Sequence, residues 1–271
     1  MVKKTIFLTL IFAFAAFGNA VFAQDDSSAK AYEAYNNGKA KADAKDYAAA
    51  LALFAEAIEV GDPEKEYDAT IIDAAKKNGA IAAYYVGNDL RKENKNDEAL
   101  VVYQQGIDYN PDLYYNFTGV ALAYAGKDEY ANAVKAYLKA AEVAEKTGKG
   151  DKAVEIMDYA AKLPGIAWGK KNWDDAIATA EAFLAAKETA DAHYYLSQSL
   201  KEKGNNQKAL THAMKAAEMY EGEDKDKAFY RLGELHEALG QKAEAVQAYN
   251  KAGGKYGDRA QYKVSQLEGG R

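Results

Sequence analysis

Three histidines are the side chains best placed by type for general acid–base work or metal ligation: His193, His212 and His236. No two of them stand four residues apart, the spacing that puts a ligand pair on one helical face. There is no cysteine, so neither a thiolate nucleophile nor a thiolate-held metal is available. No Gly-x-Ser-x-Gly turn exposes a serine. Gly126-Lys127-Asp128 lacks the upstream glycine and the following Ser or Thr of a phosphate-binding loop. Asp174-Asp175 reads as a helix start, where carboxylates complement the positive end of the dipole. The acidic run from Glu221 to Asp226 lacks the alternating ligands, central glycine and terminal Glu of a calcium loop, and reads as a solvated linker. Asn116-Phe117-Thr118 fits a glycosylation acceptor but falls in a stretch that reads as helix. These patterns point to no catalytic residue, no cofactor and no metal.

The elements around these residues are those of a helical, exported protein. The chain has 271 residues, 49% hydrophobic and 28% charged, with a formal charge of −6. Acids and lysines are interspersed without a basic block, which excludes nucleic acid as a partner. Alanine is abundant and β-branched residues are scarce, a composition that favours helix. Residues 1–23 read as a secretory signal: Lys3 and Lys4, an apolar run from Thr5 to Phe17, and small residues that allow cleavage after Ala20 or Ala23. Residues 24–28 follow as a short polar N-terminus. No later apolar run is long enough to span a bilayer. The expected location is the periplasm of a Gram-negative bacterium, with the cell surface or secretion as other destinations.

From residue 29 a repeat appears. Gly38 precedes Ala50 by twelve residues and Phe54 follows four later; Gly87, Ala99 and Tyr103, and Gly233, Ala245 and Tyr249, keep that spacing. Gly119, Ala133 and Tyr137 form a copy two residues longer, and Ser197, Ala209 and Ala213 another. Each unit predicts two antiparallel helices with apolar residues three and four apart. Glycine inside a helix costs about 1 kcal/mol relative to alanine, so each one needs a packing reason. Close approach of the second helix, with its aromatic beside the glycine, supplies that reason.

Phe229, Leu232, Gly233, Ala245 and Tyr249, with Gly87, Ala99, Tyr103 and Pro111, resemble the tetratricopeptide repeat. The resemblance covers about residues 29–255. It implies an all-α, right-handed α-solenoid of about six helix hairpins, closed by a capping helix within residues 256–271. The chain also resembles exported envelope tetratricopeptide proteins of Bacteroidetes-type bacteria. Two departures stand out. Tyr67, Ile71, Ile72 and Ala75 share a helical face within an insert near residues 63–78, which predicts an extra helix or a lengthened first helix. Leu163-Pro164-Gly165 predicts a break or kink, leaving an irregular segment near 163–172 with Trp168 as a candidate exposed aromatic.

In such a solenoid the first helix of each hairpin lines an inner groove that holds an extended peptide or a partner's helix. In this register the groove candidates are Tyr35, Lys39, Tyr84, Asn88, Arg91, Tyr194, Gln198, Lys201, Tyr230 and Glu234. Tyrosine recurs at one place in four copies and gives flat rings with a hydroxyl handle. The grip on a peptide's terminal carboxylate used by one subtype of the family needs Lys and Asn on adjacent repeats. Here Lys39 and Asn88 are isolated, and Tyr85 and Tyr195 stand where Asn is required. The resemblance implies a non-catalytic scaffold or adaptor in the cell envelope that binds another envelope protein or a peptide segment of it. The alternative is an accessory factor of nutrient-uptake or secretion machinery that binds a glycan or small ligand.

Overall fold

The computed structural model describes residues 26–269. The expected signal segment 1–23 and its cleavage sites lie outside these residues. Among the described residues there are thirteen α-helices, one 3-10 turn and no strand. The chain divides into two compact units, residues 1–78 and 79–271.

In the first unit, α1 (Asp26–Asp43) and α2 (Tyr47–Val60) form a hairpin, followed by the opening turns of α3 (Glu66–Lys92). α1 starts inside the stretch expected to be a polar lead. A Cβ on Gly38 would meet the Phe54 ring at 2.8 Å, so the helix approach depends on the missing methyl. Asp46 caps α2 by accepting from the Ala49 amide at 3.3 Å, which satisfies one of the free N–H groups of the first turn. The insert near 63–78 is the front half of α3, which runs unbroken for 27 residues. Ile71, Ile72 and Ala75 are buried as their shared face requires, whereas Tyr67 is exposed.

The second unit contains the rest of α3, then α4 (Asn96–Tyr109), α5 (Tyr114–Gly126), α6 (Tyr130–Lys146), α7 (Gly150–Gly169), α8 (Trp173–Leu184), α9 (Ala190–Glu202), α10 (Asn206–Met219), α11 (Gly222–Ala238), α12 (Lys242–Lys251) and α13 (Gly257–Gly269). From α4 onward each helix packs on the next, and α6 also meets α8, as α7 meets α9. Packing confined to near neighbours in sequence is the signature of an α-solenoid. The turns repeat as well. Lys95 donates to the Leu90 carbonyl, Glu129 to Tyr124, Lys149 to Ala144, Asn205 to Leu200 and Gln241 to His236. The residue before each of these donors has positive φ: Asn94, Asp128, Gly148, Gly204 and Gly240. This left-handed residue with a six-to-one bond satisfies the last carbonyls of the outgoing helix and turns the chain back.

Three expectations are corrected here. The ring nearest Gly119 is Tyr103 of the preceding hairpin and not Tyr137 of its own. A Cβ there would lie 2.3 Å from the Tyr103 ring, and one on Gly87 would lie 2.4 Å from the same ring. Tyr103 of α4 is thus wedged between α3 and α5, because the aromatic of one hairpin fills space in the next. Second, Pro164 does not break α7, and the segment expected to be irregular is helical through Gly169. The ring removes one amide donor, a disruption of about 3 kcal/mol in a helix interior. Leu163, Pro164 and Ala167 are all buried, and their packing holds the helix together across it. Third, the run from Glu221 to Asp226 is no linker: α11 begins at Gly222, so Glu223 and Asp224 occupy its first turn, where their charge opposes the dipole. At the end of the chain, Ala260 and Val264 of α13 join Tyr230, Ala245, Tyr249 and Ala252 in one cluster, covering the apolar edge of the last hairpin.

Candidate functional site

In the second unit, side chains of the first helices of hairpins touch from α3 to α5 and from α7 through α9 to α11. Tyr84 of α3 lies 5.3 Å between ring centres from Tyr115 of α5. Trp168 of α7 lies 5.8 Å from Tyr195 of α9. Lys201 of α9 reaches Glu234 of α11 at 3.3 Å, and the Lys227 ammonium sits 4.6 Å above the Tyr194 ring. Together they make a wall of aromatic rings interleaved with ionised groups.

The groove candidates fall into three groups. Tyr35 and Lys39 belong to the first unit, where Lys39 sits over the Tyr35 ring at 5.7 Å and the Tyr35 hydroxyl accepts from Asn78 at 3.2 Å. Burial raises the Tyr35 pKa against that bond, so this ring packs more than it presents. In the second unit Tyr84, Asn88, Arg91, Lys201 and Glu234 are partly exposed, and Asn88 accepts from the Tyr103 hydroxyl at 2.8 Å. Tyr194, Gln198 and Tyr230 are buried, each at 9% exposure or less. They support the wall from beneath and do not form its surface. Trp168 is likewise half-buried rather than exposed, packed on the α5–α8 core. Tyr159 on α7, 46% exposed, is a wall residue that the register did not single out, because Pro164 replaces the glycine that would have marked its repeat.

Among the described residues no group of three or more His, Asp or Glu is arranged to hold a metal, and no helix is long and apolar enough to cross a membrane. Asp175 caps α6 from α8, accepting from the Tyr130 and Ala131 amides at 3.3 Å. Asn116 is buried and donates to the Ala80 carbonyl at 3.0 Å, which closes it to a glycan.

The structure brings together two histidines that the sequence reading held apart. His193 of α9 and His212 of α10 place their Nδ1 atoms 3.0 Å apart. Their ring centres are 5.2 Å apart, so the rings meet end-on across a shared proton. Burial above all, then His212 and Lys215, lowers the His193 pKa while Glu188 opposes; burial and Lys215 lower that of His212 while Glu181 opposes. The unfolded chain therefore takes up protons first as pH falls below about 6.5, and folding stability declines from there toward the lower folded values. Denaturant midpoints at pH 7.5 and 5.0 should show this loss, and His212→Gln should shrink it; an unchanged difference in that variant would remove the pair as its cause.

A separate trough of about 710 Å³ lies between α6 and α7, floored by Leu138, Ala141, Val154 and Met157 and rimmed by Lys135, Lys139, Glu142 and Lys187. None of the groove candidates lines it.

Family models described as tetratricopeptide repeat match residues 117–157, 166–226 and 227–258. The chain thus carries tetratricopeptide repeats over much of its second unit. Among solved structures it is similar to YrrB, a TPR protein described with an unusual peptide-binding site (18% identity, 69% of this chain and 91% of that one, TM-score 0.38). It is also similar to the TPR domain of P58(IPK) (16% identity, 88% of this chain and 64% of that one, TM-score 0.39) and to MamA (20% identity, 68% and 94%, TM-score 0.39). A search of curated proteins finds no match.

Proposed function

We propose that these tetratricopeptide repeats form a non-catalytic interaction scaffold whose wall of first helices in the second unit binds a peptide segment of a partner protein. The observation that carries this reading is that ring and charge contacts join neighbouring first helices in two stretches: Tyr84 of α3 with Tyr115 of α5, and Trp168 of α7 with Tyr195 of α9, whose Lys201 reaches Glu234 of α11; Tyr159 of α7 is exposed. Rigid amphipathic rings and fixed charges are what an extended peptide can use without ordering new protein surface. On the sequence of residues 1–23, the partner is a protein of the bacterial envelope, reached after export.

Photo-crosslinking in the native host tests this. A crosslinker placed at Tyr159 should capture one polypeptide, whereas the same group at Val101 of α4, 70% exposed and off the wall, should not. Capture at Val101 alone, or purified protein that binds oligosaccharides on an array but no polypeptide, would replace the scaffold reading with that of a glycan-binding accessory factor.

A further inference from the structure

Two contacts of the wall pass through one helix. Tyr195 of α9 meets Trp168 of α7 at 5.8 Å between ring centres, and Lys201 of α9 reaches Glu234 of α11 at 3.3 Å. This helix is fastened to its hairpin partner in its own way. In three hairpins a buried ring of the second helix fills the space left by a glycine of the first: Phe54 at Gly38, Tyr103 at Gly87 and Tyr249 at Gly233. In α9–α10 the same places hold Ser197 and Ala213. One residue earlier on each helix, His193 meets His212, and their Nδ1 atoms 3.0 Å apart join the two helices.

The buried face of α9 is polar. His193, Ser197, Gln198 and Ser199 are all buried, and the His193 Nε2, Ser197 Oγ and Gln198 Nε2 atoms lack a hydrogen-bond partner. Unsatisfied groups of this kind weaken a packed helix. In a solenoid, where hairpins lean on near neighbours, such a segment can open without the rest.

The end-on contact has room for one proton between the rings. Two neutral imidazoles satisfy it, one Nδ1 donating and the other accepting. Once both rings are cationic, each Nδ1 carries a hydrogen and neither accepts. The surrounding charges do little for a His193 cation. Glu188 lies 3.7 Å from its Nε2, beyond hydrogen-bond reach, and is already held by Lys215 of α10 at 3.0 Å. Glu181 of α8 favours a charged His212, and Lys215 opposes it. The charged groups that α11 turns toward α9 are engaged elsewhere: Lys227 sits over the Tyr194 ring and Glu234 pairs with Lys201. Asp191 of α9 accepts from the Tyr220 hydroxyl, and α7 brings the uncharged Trp168. Burial above all holds both histidines below the usual imidazole range. An opened hairpin therefore takes up protons that the closed one refuses as pH falls below about 6.5.

We propose that the His193–His212 contact is an acid-sensitive latch: on taking up protons it frees α9 from α10, withdraws Tyr195 and Lys201 from the wall and releases a bound peptide. The release rests on the reading of the wall as a peptide site; the latch does not.

Hydrogen–deuterium exchange of the full chain at pH 7.5 and 5.5, corrected for the intrinsic exchange rate, tests the latch. Over that interval α9 and α10 should lose protection by about tenfold for each proton taken up on opening, and by up to about a hundredfold for two. α5 and α6 should keep theirs. His193→Gln combined with His212→Gln should remove most of the loss. His212→Gln alone alters only the partly exposed ring and should reduce it, a second reading if the double variant does not fold. The latch is overturned if α9 and α10 are equally protected at both pH values, if α5 and α6 lose protection in parallel, or if the folded variants lose as much as the parent. A crosslinker at Tyr159 in permeabilised cells of the native host tests the release. Capture of a polypeptide at pH 7.5 should fall at pH 5.5 in the parent and persist in the variant. Capture that persists in the parent although α9 has opened overturns the release and leaves the wall a peptide site. Absence of capture at either pH removes the wall reading and the release with it, and the exchange result alone then decides the latch.

Discussion

Gly119→Ala should lower the stability of the second unit by about 1–3 kcal/mol, the usual range for forcing an extra carbon into a packed interior. Alanine outside a special backbone conformation is ordinarily the better helix former by about 1 kcal/mol, so the sign is opposite to the propensity expectation. The reason is contact: the new Cβ would sit 2.3 Å from the Tyr103 ring, and that ring is fully buried between α3 and α5. It cannot swing aside, because Gly87 faces it from the other side, with a Cβ position 2.4 Å away. Urea unfolding followed by circular dichroism measures the change. A stability equal to or above that of the parent would show that the two helices can separate at no cost, and would remove the wedge as the device that sets their spacing.

The larger effect belongs to the ring itself. Tyr103→Ala should cost about 3–5 kcal/mol, the range for truncating a large buried aromatic. It also strands the Asn88 carbonyl oxygen, which now accepts from the Tyr103 hydroxyl at 2.8 Å. The two substitutions should be strongly non-additive. With the ring gone, a methyl at Gly119 enters vacated space, so Gly119→Ala in the Tyr103→Ala background should be neutral or stabilising. Residues in direct contact couple by 0.5–3 kcal/mol as a rule, and a double-mutant cycle from the same urea data measures this coupling. Additive losses would mean that the glycine and the ring act independently.

The parts of this architecture that were legible beforehand are those written within one hairpin. Gly38 with Phe54, Gly87 with Tyr103 and Gly233 with Tyr249 meet as their spacing requires, because two helices joined by a short turn fix which residues face each other. The pairing of Gly119 with Tyr103 crosses from one hairpin to the next, and no spacing inside either encodes it. Pro164 misled for a related reason. Its intrinsic effect on a helix is local, whereas the burial of Leu163 and Ala167 that holds α7 together is tertiary.

The histidine pair leaves a trace in the sequence. Tyr35 and Phe54, Tyr84 and Tyr103, and Tyr230 and Tyr249 are facing rings nineteen residues apart, and His193 and His212 are separated by the same nineteen. They sit one residue before Tyr194 and Ala213, which hold the places of the aromatic cross-pair in their hairpin, so the same separation brings them together. A ligand pair on one helix has a spacing of four, so this pair across two helices falls outside that pattern. The wall was legible as to which helices form it but not as to which candidates reach its surface. Tyr194 and Tyr230 share a register position with Tyr84, yet neighbouring hairpins cover the first two more completely.

From α4 onward the helices of the second unit pack chiefly on those one or two places along the chain, and this shapes what an occupant does to the protein. Each hairpin is held by its flanks, so loosening at α12 and α13 need not reach α5. A strand of partner chain laid along the row would bridge hairpins that share no contact of their own and act as an external splint. Capture of a partner would then be felt less as a change of shape than as a stiffening, with segments that had opened one by one made to open together.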